Sequence, residues 1–241
     1  ERWRARAKPA LVAWPWENHS WERALARACL HAKTATVGYQ HTTVGVREWN
    51  HAPGSNFDSA SLPDKIVCSG PAWAKRLRAF GHEDQRITVG GAWRAPPLAS
   101  TVRDPAGAVF VALPADKGIA SEMLAAIRPL ALVGGRFLVR EHPMMPHPFP
   151  EAPGLARAIG PLAGQQGISA VLYAGTTVGL EAALGRLPTV RFQPESAISN
   201  DVLPDGFDLP SANADDLGRA LGSAETPPEH DAREVFAPID M

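Results

Sequence analysis

Two stretches of this chain carry residues whose types and order suit work on an anion. In the first, the apolar run Phe137-Leu138-Val139 stops on Arg140-Glu141-His142-Pro143, and a second His-Pro, His147-Pro148, follows. A proline after His142 keeps that residue out of helical backbone angles and stiffens the turn. An imidazole on such a rigid support suits a proton donor or a phosphate partner, with Arg140 and Glu141 beside it to set its charge. A lone His-Pro taken by itself is more often a plain loop, and His147 is given no role. In the second stretch, Tyr173-Ala174-Gly175 runs into Thr176-Thr177 and then "VGLEAALGR". Gly175 lets the backbone approach a ligand closely. Both hydroxyls can donate to phosphate oxygens, and the free N–H groups of a helix start attract negative charge. Glu181, one turn on, is placed to accept hydrogen bonds from ribose hydroxyls. The rival reading is a threonine that caps the helix and binds nothing.

A third stretch, "WPWENHSWERAL" (14–25), places Glu17 between tryptophans. Partial desolvation there suits a carboxylate that takes a proton from an acceptor hydroxyl, while Trp14 and Trp16 offer faces on which a sugar ring can stack. The alternative is that Trp14, Trp16 and Trp21 are core and that Glu17 caps the next helix. His41, closing "TATVGYQH" with Gln40, Thr42 and Thr43 around it, is a second candidate base. Asp64 in "LPDK" reads as a turn or cap residue.

These residues need a scaffold that ends strands beside one another. Short apolar runs alternate with helix-period segments, the pattern of parallel sheets covered by helices. Strands are expected at 10–13, 34–41, 65–70, 86–94, 108–114, 136–143, 168–175 and 188–194. Helices are expected at 21–31 (Ser20 as cap), 71–81, 121–132, 176–186 and 213–224. Pro71 and Gly81 bracket the second helix in the favoured order. The Pro-rich "APPLASTVRDPAG" (95–107) reads as a linker. The fold class is therefore α/β with two Rossmann-like halves, residues 1–98 and 99–241, the first of them short of strands and apparently truncated or reduced. In open parallel sheets ligands gather beyond the carboxyl ends of the strands, where His142, Thr176, Thr177, Glu17 and His41 all fall.

Composition removes several alternatives. The 241 residues are 45% hydrophobic and 20% charged, with a net charge of -1, which gives no long-range pull toward nucleic acid or anionic membrane. The two cysteines, Cys29 and Cys68, form neither a disulfide framework nor a metal-ligand spacing. No run reaches the roughly 18 apolar residues of a membrane helix, and no signal peptide is visible. These features imply a cytoplasmic protein. A start at Glu1 suggests a piece of a longer chain. GxGxxG, GxxxxGKS, GxSxG and HExxH are absent. No Asp-x-Asp stands at a strand end, which disfavours a metal-dependent sugar transferase, so no metal and no cofactor are expected.

"VREHP" followed by "AGTTVGLEAALGRLPTV" resembles the GT-B glycosyltransferases of bacterial surface polysaccharides, above all those that use CMP-activated acidic sugars: sialyltransferases, Kdo transferases and enzymes of pseudaminic or legionaminic acid. These families carry a His-Pro motif and a Ser/Thr pair in the C-terminal domain. The resemblance implies that His142 contacts the donor phosphate and protonates the departing CMP. It further implies that Thr176 and Thr177 replace the usual serines, with Gly175 and Arg140 beside them, and that Glu181 faces the ribose. Residues 1–98 resemble the later part of the acceptor-side domain of the same group. The implied reaction is inverting transfer of an acidic sugar from a CMP donor to a glycan or glycolipid acceptor of capsule or lipopolysaccharide type. Nucleic acid has no part in it, and contact with the cytoplasmic face of the inner membrane would come through a lipid-linked acceptor. Two rivals stay open: a UDP-sugar 2-epimerase, and a non-catalytic nucleotide-sugar-binding module of a larger transferase.

Overall fold

The computed structural model describes residues 8–54, 59–93 and 102–239, and these form two compact units. One takes the described residues up to 93 together with 231–239; the other takes 102–230.

The first unit is a parallel sheet in the order β1-β2-β3-β4. Its strands are β1 (Leu11–Pro15), β2 (Ala35–Gln40), β3 (Lys65–Cys68) and β4 (Ile87–Val89). Register is set by pairs such as Val12 with Thr36, Gly38 with Ile66 and Val67 with Thr88. Helix α1 (Ser20–His31) leads from β1 to β2, and α2 (Pro71–Ala79) from β3 to β4. Ser20 is the first helical residue rather than the cap; His19 holds the cap position and makes no side-chain capping bond. Pro71 opens α2, and Gly81, at φ +99°, lies just past its end. Trp16, Ile66, Trp73 and Leu77 fill the core, with Cys29 and Cys68 buried and in no disulfide.

The end of the chain returns to this unit. Ala237 donates to the Ser69 carbonyl and accepts from Ala92, and the Trp73 indole donates to Val235. A side chain at Gly70 would stand 2.3 Å from the Val235 carbonyl oxygen, so only glycine admits the returning segment. The sequence reading runs the second half on to residue 241, and this return is visible only in three dimensions.

The second unit begins with β5 (Arg103–Ala112), α3 (Lys117–Leu132), β6 (Phe137–Arg140) and β7 (Leu155–Arg157). It continues with β8 (Ile168–Tyr173), α4 (Val178–Leu184), β9 (Thr189–Phe192), β10 (Ser211–Ala212) and α5 (Leu217–Gly222). The strands form one sheet, order β10-β9-β8-β5-β6-β7, and all its pairings are parallel. The chain enters at the centre, builds outward through β6 and β7, then crosses back to place β8 on the other side of β5. That reversal makes the carboxyl ends of β5 and β8 the switch point where α/β sheets open a crevice.

One face of this sheet (Val111, Val139, Leu172, Val190, Phe192) packs with Met123 and Ile127 of α3 in a single core. The opposite face carries Tyr173 beneath α4. Arg103–Gly107, read from sequence as linker, is the irregular first part of β5: both Arg103 and Ala108 pair with Ile168 around a bulge. Gly107 lies so close to the Gly167 carbonyl that a side chain would be 2.1 Å from its oxygen. The rest of that expected linker, up to residue 101, lies outside the described residues. Helix α3 starts four residues earlier than expected because Asp116 caps it, accepting from the Ile119 N–H.

Candidate functional site

At the carboxyl edge of the second sheet, Ala112 of β5 pairs on one side with Arg140 of β6 and on the other with Tyr173 of β8. The sequence reading placed the His142 and Thr176 strands next to each other. They are not neighbours, because β5 runs between them: the reversal in strand order breaks the link between sequence order and spatial order. Two strand spacings of about 4.8 Å put the Arg140 and Tyr173 backbones roughly 10 Å apart. The two motifs thus flank the switch point instead of touching.

On the β8 side, Gly175 adopts φ +58°, turning the chain sharply out of the strand into Thr176-Thr177. Thr177 occupies the cap position of α4, yet its side chain makes no capping bond. The Thr176 hydroxyl oxygen is buried and has no hydrogen-bond partner among the described residues. The capping alternative therefore fails for both hydroxyls. Only the backbone carbonyls work for the helix, Thr176 accepting from Gly179 and Thr177 from Glu181. With seven residues α4 is short, so the hydroxyls and local N–H groups matter more here than a helix dipole. Gly179 presses α4 onto β8; a side chain there would come within 2.4 Å of the Tyr173 ring. Glu181 sits half-buried one turn along.

Tyr173 is fully buried and its hydroxyl has no hydrogen-bond partner among the described residues. Burial first, and the nearby Asp201 carboxylate second, push its phenol well above the ordinary tyrosine range. Arg191, its register neighbour on β9, is paired with Asp201.

On the β6 side, Arg140 is half-buried and makes no side-chain hydrogen bond or ion pair among the described residues. The ring Nδ1 of His142 accepts from the Met144 N–H at 3.3 Å. That bond places the neutral ring's proton on Nε2, leaving an N–H donor for a ligand. Glu141 turns instead to Arg157 of β7, and His147 meets the Ser121 hydroxyl of α3.

The first sheet's edge is built differently. Glu17, just past β1, holds two imidazoles: His19 Nε2 lies 2.8 Å from its Oε2 and His41 Nε2 3.6 Å from its Oε1. Glu17 and His41, chosen separately from sequence, thus form one cluster with His19, which sequence reasoning passed over. All three are partly open to solvent.

Trp14 and Trp16, expected to stack on a sugar, are core residues at 7% and 0% exposure. Their alternation puts both on the inward face, where the Trp14 indole donates to Glu22 and Trp16 sits edge-on to His51 and His82. Burial holds His51 down to about 4, against some opposition from Glu17, and lowers His82 as well. Asp64 accepts from the Thr36 N–H and hydroxyl, a structural tie across β2 and the approach to β3.

Three solved structures share this fold. The glycotransferase of kitacinnamycin aligns with a TM-score of 0.53 at 11% identity, over 92% of this chain and 67% of that one. UDP-N-acetylglucosamine 2-epimerase from Rickettsia bellii gives 0.54 at 12% identity, over 99% and 70%. Arabidopsis thaliana UGT89C1, solved with quercetin, gives 0.55 at 12% identity, over 84% and 60%. No family model matches the chain, and no curated protein matches it in sequence. The molecule has the GT-B type of fold, two Rossmann-like α/β halves, each with a parallel sheet. No helix among the described residues is long and apolar enough to cross a membrane.

Proposed function

We propose that this chain is a glycosyltransferase using a nucleotide-activated sugar, with the nucleotide phosphate held at the carboxyl edge of the second sheet. The observation that carries this reading is the Thr176 hydroxyl, buried at the switch point with no partner among the described residues. Leaving such a group unpaired costs about 1–3 kcal/mol, a cost that a phosphate oxygen would remove. Thr177, Gly175 and Arg140 join Thr176 as donor-phosphate ligands, Glu181 takes the ribose, and His142 Nε2–H donates to the leaving phosphate.

In this reading the Glu17 cluster of the first unit, through Glu17 itself or His41, removes the proton of an acceptor hydroxyl. The acceptor oxygen bonds to the anomeric carbon as its bond to phosphate breaks, and the phosphate keeps that electron pair. One displacement inverts the carbon. Fixed donors aimed at charge that develops on the leaving group are worth more than donors in water. The resemblance of "VREHP" and "AGTTVGLEAALGRLPTV" supports CMP as the nucleotide, an acidic sugar as the cargo and a surface glycan or glycolipid as the acceptor. It also supports work in the cytoplasm, at the inner-membrane face where the acceptor is lipid-linked. No further cofactor is called for.

The test is turnover of CMP-activated acidic sugars with glycan acceptors, comparing wild type with His142→Ala and Thr177→Ala. Wild-type rates in both variants would end the reading. The similarity to 2-epimerases of the same fold favours a second reading, isomerisation of a UDP-sugar. Incubation with UDP-N-acetylglucosamine and no acceptor separates the two, since only an epimerase turns over without a second substrate.

A further inference from the structure

We infer that Glu22 is a positioning residue for the first unit's acid–base cluster; this rests on reading Glu17 and its two histidines as the proton-handling site. Glu22 lies in the first turn of α1 and is only 2% exposed. In an ordinary capping box a glutamate at this place reaches back to the N–H of the cap residue. Here it reaches further. Its Oε2 accepts from the Glu17 N–H at 3.1 Å, the Asn18 N–H at 3.0 Å and the Trp14 indole at 3.1 Å, and its Oε1 accepts weakly from Glu17.

Asn18 completes the turn in the left-handed region at φ +59°. Asn50 holds the other side, donating from Nδ2 to the Glu17 carbonyl and accepting on its own carbonyl from Asn18 and Arg23. Both peptide groups of Glu17 are thereby fixed, one by the buried carboxylate and one by Asn50. Its side chain is left to stand between His19 and His41.

A carboxylate buried this deeply is costly unless its acceptor capacity is used. Four donor contacts, three of them from the backbone N–H groups of Glu17 and Asn18, use it for one purpose. A supporting group of this kind acts through geometry, and a misplacement of about 1 Å in a catalytic group can cost on the order of 100-fold in rate.

The experiment is Glu22→Ala, read by long-range proton–nitrogen NMR of the imidazoles, with His19→Gln and His41→Gln spectra for assignment. In the wild type, Glu17 accepts from the Nε2–H of His19 and stands 3.6 Å from Nε2 of His41, close enough to bias the tautomers of both rings. In Glu22→Ala the ring nitrogen shifts of His19 and His41 move toward those of a free imidazole. Under the proposed transfer reaction kcat falls about 100-fold, with the donor KM unchanged. Glu22→Gln keeps the volume and one acceptor, and moves both readouts part way; it decides the matter if Glu22→Ala does not fold.

Imidazole signals that superimpose on wild type in a folded variant overturn the inference. Shifted imidazoles with an intact kcat uphold Glu22 as the positioning residue and instead contradict the role of the cluster as the base.

Discussion

The two sheets end in opposite ways. At the first, charged groups are already engaged with one another: Glu17 with His19 and His41, Glu22 with the backbone beneath them. At the second, polar groups wait: an unpartnered Thr176 hydroxyl, a Thr177 that does not cap its helix, and a His142 ring whose Nε2–H is left over. A self-satisfied cluster of carboxylate and imidazoles is suited to moving a proton. A set of donors without acceptors is suited to receiving an anion. The difference between the two edges lies in whether each has satisfied its own hydrogen bonds.

The largest expected effect contrasts the two edges directly. Glu17→Gln lowers kcat by about 100-fold or more and leaves nucleotide affinity as it is. His142→Ala lowers kcat by a similar factor and weakens nucleotide binding too. Steady-state kinetics beside nucleotide titrations check this, and equal effects of both substitutions on nucleotide affinity would erase the contrast.

Acid tests the first edge by itself. His51 is buried with a folded-state value near 4 against an ordinary 6.5, so the fold favours the neutral ring. Stability is complete above about pH 6.5 and is lost as the pH falls toward 4, where the unfolded chain binds the extra proton. The loss totals about 3 kcal/mol at 1.36 kcal/mol per unit, and His82, lowered for the same reason, adds to it. Urea unfolding followed by the fluorescence of Trp16 and Trp73 at pH 7 and pH 4.5 measures it. A stability independent of pH over that range would contradict the buried, neutral imidazole.

How much of this was legible in the sequence depends on the kind of signal. Eight of the ten strands were, because runs such as Phe137-Leu138-Val139 and Ile168–Tyr173 are apolar and are bounded by glycine, proline or charge; the short edge strands β7 and β10, of three and two residues, were not. The start of β5 was not, since Asp104-Pro105-Ala106-Gly107 has a turn's composition and becomes strand only because Gly107 can lie against Gly167. The Thr176-Thr177 corner was legible from its glycine and its place between strand and helix. Its distance from His142 was not, because strand order reverses at β5 and no local pattern records that. Nothing in "HSWER" sets Glu22 apart from any acidic residue near a helix start. Its reach to Glu17 depends on the left-handed turn at Asn18, while Trp16 became core under His51 and His82 and Trp14 through its indole bond to the buried Glu22.

Smaller effects sharpen the second edge. Gly179→Ala forces a methyl group against the Tyr173 ring and costs about 1–3 kcal/mol of stability, read by thermal unfolding; a neutral result would mean that α4 does not need its close approach to β8. Thr176→Val is the subtler change. It removes a buried hydroxyl that has no partner, so stability stays level or rises by up to about 1 kcal/mol, while the affinity for nucleotide falls. A Thr176→Val protein that loses stability would show that the hydroxyl already has a structural use.

The central claim is that an uncommitted set of donors at the end of β8 and β6 receives a nucleotide phosphate. Calorimetric titration of wild type, Thr176→Val and Thr177→Val with CMP and with UDP tests it most directly. The account predicts measurable binding of at least one nucleotide by the wild type and a loss of about tenfold or more in each variant, the equivalent of roughly 1.4 kcal/mol. Affinities in both variants equal to the wild type's, or no binding of either nucleotide, would contradict it.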